Sequence, residues 1–91
     1  MPKKIEKIGE WKPIGEVVHY FDKIGVAVIK LSGGLKLGET IRIVGGKETD
    51  FEQAVDSIEI DREKIEEGTK NDEVGMKIKE KVREGYKVYK A

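Results

Sequence analysis

The chain has 91 residues, 37% apolar and 40% charged, with 18 basic and 18 acidic side chains, one His and no Cys. A domain of this size buries only about 60–65% of its unfolded surface, so one domain with a modest core is expected. With no Cys and a single His, a disulfide framework and a Cys/His zinc site are excluded. Met1-Pro2-Lys3-Lys4-Ile5-Glu6 has no apolar core for a signal peptide, and the longest apolar run, Val26 to Ile29, cannot span a membrane. A cytoplasmic location is expected. The charge excess is Lys and Glu, while Asn71 and Gln53 are single occurrences. That profile points to a thermophile, in which ion pairs gain value as charge desolvation becomes cheaper with temperature.

Residues 1–12 read as a polar leader, with Trp11 expected to anchor it on the domain that fills 13–91. Ile14 to Phe21 reads as the first strand, rich in β-branched and aromatic residues. Asp22-Lys23 precede Ile24-Gly25 in a tight connection. Gly25 to Leu31 reads as the second strand, apolar enough for burial on both faces. Ser32-Gly33-Gly34 is a loop, and Leu35-Lys36-Leu37-Gly38 a turn in which Gly38 is expected at positive φ. Thr40 to Val44 alternates, with Ile41 and Ile43 on one side and Thr40, Arg42 and Val44 on the other.

Gly45-Gly46 is a hairpin signal. Phe51 to Ile60 reads as a strand interrupted near Asp56, where a bulge or twist is expected. Residues 61–67 hold only Ile65 as an apolar residue, too little to fasten a helix to a core. Glu73 to Ile78 reads as a strand with Val74, Met76 and Ile78 inward. Glu84-Gly85 is a turn and Tyr86 to Tyr89 the closing strand. The expected core is Val17, Val26, Val28, Ile41, Ile43, Val55, Ile58, Val74, Met76, Ile78 and Val88. The expected architecture is all-β: a closed antiparallel barrel of six or seven strands, which would leave no exposed edge.

Few residues carry catalytic promise. Gly46-Lys47 is followed by Glu48 and has no glycine at position 41, so a phosphate loop is excluded by spacing. His19 has no second His and no Cys to work with, and reads as a surface histidine. No catalytic residue, metal ligand or cofactor is expected. Charge is uneven instead. Residues 48–73 carry eleven acids against Arg62, Lys64 and Lys70, while residues 77–91 carry six bases against Glu80 and Glu84. Either opposite charges pair between neighbouring strands, or a basic face awaits an anionic partner. For the second case the candidate set is Lys77, Lys79, Lys81 and Arg83 at period-2 spacing, extended by Lys36 and Arg42.

Gly15-Glu16-Val17, Gly34-Leu35-Lys36-Leu37-Gly38-Glu39 and Gly85-Tyr86-Lys87-Val88 stand in an order that resembles the second-domain β-barrel of elongation factor Tu and related translation GTPases. The resemblance covers residues 13–90. It implies a translation-protein barrel with Gly34 and Gly38 as structural turn residues. It also implies a non-catalytic binding module whose partner is ribosomal or transfer RNA. The nucleotide-binding domain of that family has no counterpart here, so no nucleotide binding by this chain is implied. A similar barrel ends some collagenase-type peptidases, again without the catalytic residues. The alternative reading is therefore an accessory domain that works with a separate protein chain.

Overall fold

A computed structural model describes residues 13–46 and 49–91; the leader and Trp11 lie outside the described residues. The described residues are all-β. Strands run β1 Gly15–Phe21, β2 Val26–Leu31, β3 Leu35–Lys36, β4 Thr40–Gly45, β5 Thr49–Ala54, β6 Ile58–Ile60, β7 Glu63–Ile65, β8 Glu67–Gly68, β9 Glu73–Lys77 and β10 Lys87–Lys90. Eight form one sheet in the order β5-β4-β10-β1-β2-β9-β6-β7, and β3 and β8 pair separately. The pairings are antiparallel.

The expected closed barrel is not what forms. The large sheet ends at β5 on one side and β7 on the other, and no ladder joins them. The reason lies at residues 55–57. The expected long strand stops at Ala54, Val55 turns inward with 1% of its surface exposed, and the chain restarts at Ile58. Val55 is tied by its backbone to Glu39 and Gly38, through 2.8 and 3.0 Å hydrogen bonds, and not to a neighbouring strand of the sheet. The break therefore divides one expected strand between opposite ends of the sheet.

Turn chemistry sets the connections. Gly25 at φ +66° closes the β1–β2 turn, its N–H donating to the Phe21 carbonyl at 2.9 Å. Asp61 and Arg62, both at positive φ, form the two-residue β6–β7 connection, a backbone in which both central residues twist to suit the flanking strands. Gly38 sits at φ +88°.

The core is Val17, Ala27, Ile29, Leu31, Leu35, Ile41, Ile43, Phe51, Val55, Ile58, Val74, Met76, Ile78, Val82 and Val88. Val26 and Val28, expected inside, are only partly buried; Ala27, Ile29 and Leu31 take the inner face instead. The apolar run of β2 has no alternation to choose a face by. Pairing chooses it: Val17 stands opposite Ile29, and one residue of slip would exchange the two faces completely. A register shift between Val17 and His19 then leaves Val18 36% exposed.

Candidate interaction surface

Most charges on the strands answer one another across the ladders. Glu16 on β1 stands opposite Lys87 on β10 and opposite Lys30 on β2, and Lys30 stands opposite Glu73 on β9. The result is a row across four strands that alternates in sign, with Lys87 Nζ 3.0 Å from Glu16 Oε1. Lys36 faces Glu67, Lys64 faces Glu59, and Lys90 Nζ lies 3.3 Å from Glu39 Oε2. Opposite charges directly across a ladder are favourable, each by a fraction of a kcal/mol. Much of the charge on the strands is thus balanced within the molecule.

The six basic residues singled out by sequence do not form one patch. Arg42 is only 5% exposed. Its Nε and Nη2 donate to Asp50 Oδ1 and Oδ2 at 2.7 and 2.6 Å, a bidentate clamp between β4 and β5. Asp50 holds the guanidinium still more firmly protonated than usual, through this hydrogen bond and against the opposing effect of burial. Alternation alone placed Arg42 outside; the clamp to a carboxylate is what allows it to be buried. Lys36 lies in the separate β3–β8 pair opposite Glu67. Gly34 has no positive φ, and a Cβ there would meet only the Gly68 carbonyl at 3.8 Å.

Lys77, Lys79, Lys81 and Arg83 do lie together, along the end of β9 and the irregular segment that follows. All four are exposed, while Ile78 and Val82 between them are 6% and 3% exposed and anchor the segment to the core. Lys77 stands opposite Val26, not an acid. Lys79 Nζ lies 5.9 Å from the centre of the Phe51 ring, within cation–π range.

The segment is held by a residue that sequence reasoning passed over. Gln53, on β5, donates from Nε2 to the Lys77 carbonyl at 2.8 Å and accepts at Oε1 from the Lys79 N–H at 2.9 Å. It is the only Gln in a chain rich in Glu. That was the available signal: a carboxamide carries a donor and an acceptor on separate atoms at the end of a long side chain, and a carboxylate would lose the first bond. Two hollows flank this bridge. One, about 410 Å³, is lined by Val26, Asp56, Ser57, Glu59, Lys64, Gly75, Met76 and Lys77. The other, about 430 Å³, is lined by Gln53, Ala54, Asp56, Lys77, Ile78 and Lys79.

His19 Nδ1 lies 3.4 Å from Glu84 Oε2, with the imidazole edge-on to Phe21 at 4.3 Å between ring centres. Both partners of the pair are more than half exposed, so neither is set in the desolvated pocket that acid–base chemistry uses. Among the described residues no group of three or more His, Asp or Glu is placed to hold a metal ion. No helix among them is long and apolar enough to cross a membrane.

This fold is that of a domain known from peptidases. The described chain superposes on two crystal structures of the C-terminal domain of a Geobacillus thermoleovorans protein assigned as a U32 peptidase. Each gives a TM-score of 0.82 at 17% identity, with coverage of 87% and 90% of this chain and 99% and 93% of those chains. At that identity the likeness concerns the fold.

Sequence relatives point the same way. The chain is 41% identical over 76 residues to an uncharacterized protease of Methanocaldococcus jannaschii, which covers 84% of this chain and 19% of the relative. It is 30% identical over 98 residues to a collagenase of Porphyromonas gingivalis, covering 93% of this chain and 27% of the relative. The chain thus spans about a fifth to a quarter of the length of these curated relatives. No family model matches it. These findings replace the elongation-factor reading and, with it, the RNA-binding module that the reading implied. The glycine-flanked Leu-Lys-Leu turn and the strands around it encode a way of turning β-structure, and that chemistry is not particular to translation factors.

Proposed function

We propose that this chain is a non-catalytic accessory domain of U32-type peptidase machinery, working with a catalytic domain. The observation that supports the reading most is the superposition on an isolated peptidase C-terminal domain over 99% of that domain's length, with a protease 41% identical in the matching region. The surface fits such a role. Most strand charges are balanced internally, while one exposed basic segment beside two hollows is left to meet something else.

The test is a chimera. In the Methanocaldococcus jannaschii protease, the 76-residue matching region is deleted or replaced by this chain. Deletion should impair cleavage of protein substrates or stability of the enzyme, and the replacement should restore it. The chain alone should hydrolyse neither gelatin nor short peptides. A replacement that behaves like the deletion, or turnover by the chain alone, would overturn the reading.

A further inference from the structure

We infer that the gap between β5 and the end of β9 is a docking groove for an extended acidic peptide segment of a protein partner, which pairs with residues 77–79 as an added strand. This deepens the accessory-domain reading and rests on it for the partner's identity. On one side, β9 is paired with β2 along its whole length, and Ile78 continues the pairing through its N–H to the Gly25 carbonyl at 2.9 Å. Backbone groups alternate in direction along a strand, so the Lys77 carbonyl and Lys79 N–H face the other way. There β6 meets β9 only at Glu59 and Gly75, and beyond that point the Gln53 side chain takes the Lys77 carbonyl and the Lys79 N–H.

One carboxamide therefore fills one acceptor and one donor of those a neighbouring strand would use. Neighbouring strands lie about 4.8 Å apart, closer than β5 can be when a whole glutamine side chain spans the interval. Gln53 is a plug that can swing aside, because both its bonds are solvent-exposed and a side chain gives them up more cheaply than a strand would.

The hollows on either side supply the rest. Val26 and Met76 give an apolar floor on one side, and Ile78 on the other. Strand addition uses such pockets for alternate side chains while the main chain provides hydrogen bonds. Charge decides the kind of peptide. Lys77 and Lys79 stand at the rim with Lys81 just beyond, and Lys77 has no acid opposite it, unlike Lys30, Lys36, Lys64 and Lys87. Asp56 lines both hollows and Glu59 only the first, where Glu59 faces Lys64, so Lys77, Lys79 and Lys81 leave the rim with an excess of positive charge. Acidic side chains alternating with apolar ones match this arrangement.

The test uses the full chain, labelled with ¹⁵N, and two blocked hexapeptides, one alternating Glu and Val and the other Lys and Val. At low salt the acidic peptide should give saturable shifts centred on the amides of 75–79. It should bind at least about tenfold more tightly than the basic one, because the like charge of Lys77 and Lys79 opposes the second peptide. Gln53→Ala, which removes the plug, should tighten binding several-fold, and the Lys77→Glu/Lys79→Glu double variant should lose it. If Gln53→Ala does not fold, the two peptides on the wild-type chain decide. Equal affinity for both peptides, shifts centred elsewhere, weaker binding by a folded Gln53→Ala, or no saturation at millimolar peptide would overturn the groove. Peptide binding with a failed chimera removes the peptidase reading and leaves the groove; the reverse result removes only the groove.

Discussion

Two glycines show how differently one residue type can matter. At Gly38 a Cβ would touch nothing within 4 Å, so its φ of +88° is the only demand. At Gly45 a Cβ would lie 2.2 Å from the Tyr86 ring, which packs over that strand position. Gly38→Ala should therefore cost about 1 kcal/mol of backbone strain, whereas Gly45→Ala should cost about 1–3 kcal/mol as the ring is displaced. Denaturant melts of the two variants would show the order, and a Gly45→Ala protein as stable as the wild type would remove Tyr86 from that role. Glu39 carries a pH dependence. The Lys36 backbone N–H donates to its Oε1 at 2.8 Å, and this bond, aided by Lys90, holds the carboxyl below its ordinary value. Because the folded value is the lower one, the stabilisation is complete above the unfolded value of about 4.3 and is lost as pH falls through the folded value. Glu39→Gln should thus flatten the acid side of the stability profile, read by circular dichroism from neutral to about pH 2. An unchanged acid limb would mean that other carboxylates govern it.

At the scale of elements, β2 is the informative strand. Ile29 is fully buried and Val28 only partly so, the reverse of what an inward Val26 and Val28 would give. Ile29→Ala should cost about 2–5 kcal/mol and Val28→Ala under about 1 kcal/mol, since the second leaves little cavity. Thermal or urea unfolding distinguishes them, and equal costs would contradict the register of β2 on β1. Strands with clear alternation were legible without a structure: Ile41 and Ile43 on β4, and Val74 and Met76 on β9, fall inside as the pattern requires. The run of residues 51–60 was only partly legible. Asp56 marks the interruption, but a local pattern cannot say whether a strand bends through it or ends there. Here it ends, because Val55 finds its backbone partners in the turn after β3.

For the whole molecule, alternating charges across β10, β1, β2 and β9 predict a domain whose stability leans on ion pairs. Its melting temperature should lie above the mesophile range of about 45–65 °C and fall when ionic strength is raised to about 1 M, where the screening length is near 3 Å. Calorimetry at low and high KCl checks both; a mesophile melting point, or a melt indifferent to salt, would show that the rows contribute little. The sequence by itself determined the class of structure, several of the turns and most of the core, because strand alternation and turn chemistry are local properties carried by neighbouring residues. It also marked the basic segment from Lys77 to Arg83 by composition alone. Tertiary structure decided what depends on residues far apart in the chain. It buried Arg42 by bringing Asp50 across a hairpin, chose the inner face of β2 through Val17, and left the sheet open. It also set Gln53 against Lys77 and Lys79, 24 and 26 residues away. A periodic pattern says which way a side chain points from its own strand, and only the packed fold says what it meets there.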